Sequence, residues 1–424
     1  MTELAKLPAS DRAALLLPLE RRYNAFKAQG LKLDMTRGKP SPEQLDLASK
    51  LSVVLAESDY KGSDGSDVRN YGGLDGLPEM KAIFAELLGA PPAQVVVGGA
   101  SSLTMMYDTV VRALLHGVPG GSEPWVRSKV KFICPVPGYD RHFAICEEHG
   151  IEMLSVPLNE DGPDMAQVER LVASDPSIKG MWCVPKYSNP SGSTYSSAVV
   201  KRLASMKTAA PDFRLFWDNA YAVHDLYETG DSLANVLTAC AEAGNVDRAI
   251  VFASTSKISF AGAGVAALAS SPANIADVKK HAGIQTIGPD KVNQLRHVRF
   301  FNDAKGITAH MQTHAELLRP KFDAVIAAFE QELGGRGIAH WTKPRGGYFI
   351  SLDTLDGCAA EVVRLADAAG VKLTAAGATF PYGKDPRDRN IRIAPSMPPL
   401  AQVRTAMEVV AVCVLIASLK KLGV

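Results

Sequence analysis

What the chain lacks narrows it first. No sign of charge prevails: 46 lysines and arginines face 45 aspartates and glutamates. The basic surface that a nucleic-acid or acidic-membrane partner requires is therefore not expected. Cysteines are few and scattered. The six, at 134, 146, 183, 240, 358 and 413, form no CxxC pair. That argues against a zinc site or disulfide framework and for buried free thiols in a reducing, cytoplasmic compartment. Long apolar runs are missing too. VVAVCVLIASL near the C-terminus reaches about half a membrane span and is expected as a buried amphipathic helix. The N-terminal stretch MTELAKLPASDRAALLLPLERR carries acid early and only a short apolar run, unlike a secretory signal. There is no internal repeat, no low-complexity tract and no nucleotide-loop spacing GxxxxGK(S/T).

What is present is a regular alternation. Between about residues 95 and 270, the apolar runs QVVVG, VKFICPV, IEMLSVPL, KGMWCVP, RLFWDNA, AIVFAS and GVAALAS alternate with longer helical stretches. That pattern predicts an α/β fold, a mostly parallel seven-stranded sheet with helices on both faces. A long helix with one proline is predicted over about 305–333, and GGYFISLD, GVKLTAAG and NIRIAP read as strands of a smaller α+β unit. The division expected is an N-terminal arm belonging partly to the small unit (1–48), a large domain (49–304) and a small C-terminal domain (305–424). In such sheets, ligands sit beyond the carboxyl ends of the strands.

Several strand ends carry unusual chemistry. GGASSL places Ser101 and Ser102 where a helix begins, either as an anion site or as a helix cap. CPVPGYDRH delivers Tyr139 into a turn, to stack on a flat ligand or simply to pack. YSNPSG puts Asn189 at a third exit, where Asn-Pro also serves as an ordinary turn opener. LFWDNAY sets Asp218 at the end of a very apolar run, with Tyr221 three residues on; a carboxylate there is costly unless paired or hydrogen-bonded. FASTSKISFAGAG then places Lys257 among hydroxyls and small residues. Loss of hydration there lowers the pKa of an amine and makes it a nucleophile towards aldehydes. One ligand uses all of these parts: pyridoxal 5′-phosphate needs phosphate donors, a stacking ring, a carboxylate at its pyridine nitrogen, donors at its phenolate oxygen and a lysine at its aldehyde.

The ordered series TRGKP, YGGLDGLPEM, GGASSL, PVPGY, SNPSG, DNAY, STSK and IRIAP resembles the fold-type I PLP-dependent aminotransferases over most of the chain. It is most similar to the bacterial aspartate aminotransferase subgroup with an LDMTRGKPSPEQLDL-type opening. The resemblance implies that Lys257 holds the cofactor covalently and, once freed, shuttles the substrate Cα proton. Asp218 would pair with the pyridine nitrogen, Tyr221 and Asn189 would hold the phenolate oxygen, and Tyr139 would stack on the ring. The Ala100 backbone with Ser101, Ser102, Ser254 and Ser256 would bind the phosphate, and Tyr71 would reach the phosphate of a neighbouring subunit in a homodimer. Arg392 would clamp the substrate α-carboxylate, with a backbone contact from Gly38. The chain departs from the family in one place. AGAGVAA stands where an arginine usually neutralises the phosphate, leaving Lys291, Arg296 and Arg37 as candidates for that charge.

The expectation is an aminotransferase that moves the amino group of an amino acid, L-aspartate first, to 2-oxoglutarate by a ping-pong cycle. Another aminotransferase or a PLP-dependent β-lyase would share the cofactor residues. A non-catalytic PLP-binding regulator needs an N-terminal DNA-binding domain, for which the segment before TRGKP leaves little room. Arg37, Arg141, Lys186, Lys291 and Arg299 are candidates for a substrate's side-chain carboxylate. His310 and His314, one helical turn apart in HMQTH, lack the glutamate of the zinc-protease motif, and no metal is expected.

Overall fold

The computed structural model describes residues 3–56 and 59–424; the first two residues of the expected N-terminal arm lie outside these. The strands, in chain order, are β1 (Leu33–Asp34), β2 (Val95–Val97), β3 (Lys131–Val136), β4 (Glu152–Asn159), β5 (Gly162–Pro163), β6 (Ile178–Cys183), β7 (Arg214–Asp218), β8 (Ala249–Ser254), β9 (Ala266–Ala269), β10 (Ala339–Trp341), β11 (Ile350–Thr354), β12 (Val371–Lys372) and β13 (Asn390–Ile393). All seven runs read as strands of the large sheet lie in it, in the order β2-β9-β8-β7-β6-β3-β4-β5. The eighth member is an addition to the expected seven: the two-residue β5 folds back antiparallel on the edge strand β4. Five strands from β4 to β8 across the centre run parallel, and β9 is antiparallel to both neighbours.

The central strands are buried on both faces, which explains their nearly unbroken apolar sequences. Alternation then sorts their side chains into two cores. Ile133, Met181, Leu215, Trp217 and Val251 face one, with the helices Pro78–Leu88 and Ser197–Ser205. Phe132, Trp182, Phe216, Ile250 and Phe252 face the other, with the helices Ser102–His116 and Asp140–Glu148. A third core unites β11, β13 and the helices Ala304–Leu333, Ala359–Ala368 and Leu400–Lys421. β1 pairs with β12, so the segment before the large sheet is hydrogen-bonded to the C-terminal region.

The apolar C-terminal run departs from expectation in character. The helix Leu400–Lys421 is long and apolar enough to cross a membrane, yet every residue from Val409 to Leu419 is buried within the protein. It is apolar all round rather than amphipathic, because helices and strands surround it.

Candidate active site

The carboxyl ends of β3, β6, β7 and β8 converge with the turn that follows β8. Thr255 N–H donates to Val265 O at 2.8 Å and Ser259 N–H to Thr255 O at 2.8 Å, closing a tight turn around Lys257. The small residues downstream make this possible: a Cβ on Gly264 would crowd the Ser256 backbone at 3.1–3.2 Å. The hydroxyls divide by side. Thr255 and Ser259 turn inward to His297 at 3.2 and 2.8 Å. Ser254 and Ser256 bond each other at 2.9 Å, and Ser256 Oγ donates to Ala100 O at 3.2 Å. Ser101 caps the helix Ser102–His116 by position, yet its side chain makes no capping bond. Backbone N–H groups and hydroxyls therefore gather beside Lys257 at a helix N-terminus, a geometry suited to an anion.

Lys257 Nζ lies 4.9 Å from the centre of the Tyr221 ring. Burial lowers its pKa, and the Asp218 charge opposes that only in part. Burial also raises the pKa values of Tyr139 and Tyr221, with the Asp218 charge acting in the same direction. Asp218 is 3% exposed. One of its oxygens pairs with His142 Nε2 at 3.1 Å, while Oδ1 is buried without a hydrogen-bond partner. An orphaned, buried carboxylate oxygen is costly to keep unless a ligand uses it. His142 stacks on Trp182 at 4.3 Å and meets the Tyr139 ring edge-on at 4.9 Å. The sequence reading missed this histidine, although it stands three residues after Tyr139 in PGYDRH.

Arg392 stands on β13, in the three-stranded sheet β10-β11-β13. Its Nη1 donates to Asp140 Oδ1 at 2.9 Å and is 3.4 Å from Asn189 Oδ1, while Nε is buried with no partner. The Nε and Nη2 edge of the fork is thus left for a carboxylate. The guanidinium sits 5.1 Å over the Phe349 ring, and the same ring fills the space that a side chain on Gly38 would need. Gly38 and Arg392 therefore share one wall.

Other predicted residues are placed differently. Tyr71 is 82% exposed and is not drawn into the site of its own chain. Lys291 is spoken for: its Nζ donates to Asn70 O at 2.8 Å and to Gly72 O, fastening the Tyr71 loop. Two of its three N–H donors are thus used within its own chain. Lys186 pairs with Asp225 at 2.9 Å and donates to Ala222 O, and Arg299 makes a two-bond contact with Asp59; neither is free for substrate. Arg37 and Arg141 are exposed and Arg296 half-buried. Among the described residues, no cluster of three or more His, Cys, Asp or Glu side chains fit to hold a metal occurs. His310 Nε2 and His314 Nε2 lie 3.1 Å apart. A cavity of about 1070 Å³ lies elsewhere, along Ser191–Ser196 and Trp341–Arg345. It is lined by none of Lys257, Asp218 and Arg392.

The family profile described as aspartate amino-transferase matches residues 7–424. An aspartate aminotransferase of Corynebacterium glutamicum is 50% identical, covering 94% of this chain and 93% of its own. The crystal structure of an aspartate transaminase from that organism superposes with a TM-score of 0.97 at 48% identity, covering all of both chains. The α-aminoadipate aminotransferase LysN of Thermus thermophilus, in complex with N-(5′-phosphopyridoxyl)-L-leucine, shares the fold at 20% identity and TM-score 0.74, over 94% and 95% of the two chains. The chain is an aminotransferase and belongs to the aspartate aminotransferase family.

Proposed function

We propose that the protein transfers the amino group of L-aspartate to 2-oxoglutarate with pyridoxal 5′-phosphate as its resident cofactor, and that it falls in the bacterial subgroup marked by TRGKP. The observation that carries this reading is the unpartnered, buried Oδ1 of Asp218 beside the desolvated Lys257. The donor set fits the cofactor: an amine for its aldehyde, a carboxylate for its pyridine nitrogen, Tyr139 for its ring, and Ser101, Ser102, Ser254, Ser256 and the Ala100 N–H for its phosphate. Bound there, it supplies an electron sink for the carbanion left when the substrate Cα loses its proton.

The protein's residues do the rest. Asp218 keeps the pyridine nitrogen protonated, and Tyr221 and Asn189 donate to the phenolate oxygen. Lys257 Nζ, when free, takes the Cα proton and returns it on the other side of the transfer. Arg392 orients the α-carboxylate through its open edge, with Gly38 beside it. With Lys186, Lys291 and Arg299 engaged, Arg37 and Arg141 remain for the side-chain carboxylate, and Arg296 and Arg37 for the phosphate charge. The exposed Tyr71 serves the neighbouring site of a homodimer. Residues 1–48 and 305–424 form the smaller unit against 49–304, and six buried free thiols suit a reducing cytoplasm.

A panel of amino donors run against 2-oxoglutarate tests the substrate. Aspartate should give the highest kcat/KM; release of pyruvate and ammonia would identify a β-lyase instead. Borohydride reduction should fix cofactor mass on the peptide that contains Lys257, and Lys257→Ala should abolish both trapping and transfer.

A further inference from the structure

A chain of buried polar groups runs from the N-terminal segment to the backbone of the Lys257 turn. Gln44 closes a capping box with Ser41 at the start of the helix Pro42–Asp46. Ser41 N–H donates to Gln44 Oε1 at 3.1 Å, which settles the orientation of the amide. Gln44 Nε2 must then donate, and it lies 3.0 Å from His314 Nδ1 and 3.0 Å from Tyr348 Oη. Tyr348 O–H passes the bond on to Lys257 O at 3.3 Å. His314 Nε2 faces His310 Nε2 at 3.1 Å, and His310 Nε2 is 2.9 Å from Ile258 O. Gln44, His314 and Tyr348 are each fully buried.

Proton accounting gives this chain a direction. His314 Nδ1 accepts from Gln44, so a neutral His314 carries its proton on Nε2, aimed at the Ile258 carbonyl. His310 Nε2, 2.9 Å from the same carbonyl, carries its proton there too, because a carbonyl oxygen only accepts. A second proton on His314 would sit on Nδ1 and leave Gln44 without an acceptor. Burial keeps both rings neutral, with His314 pushed down to about 4. Lys257, His314 and Lys186 all face His224, whose buried ring has no partner at either nitrogen, and oppose a positive charge there.

We infer that Gln44, His314, His310 and Tyr348 form a directional relay of positioning residues that fixes the carbonyls of Lys257 and Ile258, and with them the aim of the Lys257 amine. None of the four touches the anion site or the open edge of Arg392. Their effect passes through the backbone on either side of the lysine. The inference rests on Lys257 being the cofactor lysine.

The test uses the holoenzyme and two variants, Tyr348→Phe, which removes one hydroxyl and keeps the ring, and Gln44→Met, which keeps the length and removes both donors. Thr308→Ala, on the exposed side of the same long helix as the histidines, is the control. The visible absorbance of the cofactor is titrated with pH, since it reports protonation of the nitrogen that Lys257 contributes. Both variants should shift that midpoint by about half a unit or more and lower kcat more than they raise KM, whereas Thr308→Ala should leave it in place. A native midpoint in a folded Tyr348→Phe, even with a reduced melting temperature, would overturn the relay. Borohydride trapping on native protein is read separately: its failure would remove the assignment of Lys257, while its success with unmoved midpoints would remove only the relay.

Discussion

Asp218 and Arg392 each keep part of their hydrogen-bonding capacity unused inside the protein. A buried carboxylate oxygen with no donor is destabilising by itself, so its retention marks a site built around something else. Replacing Asp218 with asparagine preserves shape and removes the charge. Turnover should fall by ~10²-fold or more while the fold persists, as for loss of a preorganised charge at a reacting centre; steady-state kinetics beside a thermal melt would show it. Arg392→Lys keeps the charge and loses the fork. The kcat/KM for aspartate should drop by ~10–100-fold, since a charge-assisted hydrogen bond contributes ~1.5–3 kcal/mol. An unchanged value would mean that the α-carboxylate is held elsewhere.

At the scale of elements, the long helix Ala304–Leu333 does more than fill a core. It brings His310 and His314 under the Lys257 turn, and their neutrality ties the fold to pH. The folded pKa of His314, about 4, lies below its ordinary 6.5. The stabilisation is therefore complete above that ordinary value and is lost as pH falls towards 4, because the unfolded chain takes up a proton that the folded one refuses. Between about pH 7 and pH 5 the loss from this residue is ~2 kcal/mol, and the lowered values of His310 and His224 act with the same sign. Melting temperature should fall over that range, and His314→Gln should flatten the fall. A slope unchanged in that variant would exclude His314 as its source.

For the whole molecule, the open question of assembly centres on Tyr71, exposed on a loop that Lys291 pins in place. If the homodimer shares its sites, a hybrid of Lys257→Ala and Tyr71→Ala chains rebuilds one complete site from two defective chains. Mixed in equal amounts after joint unfolding, the pair should recover up to about a quarter of native activity, since about half of the dimers are hybrids and two-fold symmetry gives each one complete site of two. Recovery no greater than the sum of the parental homodimers would place Tyr71 outside the site.

The sequence by itself determined the strand series, the small residues around Lys257 and the set of chemical groups at the strand ends. These are local signals: apolar runs that only a twice-covered sheet can bury, and glycines demanded by close backbone approach, as at Gly264. Only the tertiary structure decided how the charges are used. Lys186, Lys291 and Arg299 look alike in sequence as free cations, yet each is taken up by partners 39, 221 and 240 residues away or fewer. His142 reached Asp218 across 76 residues, and Gln44 reached His314 across 270. Pairing of this kind depends on which groups share a few ångströms after folding, and periodicity along the chain holds no record of it.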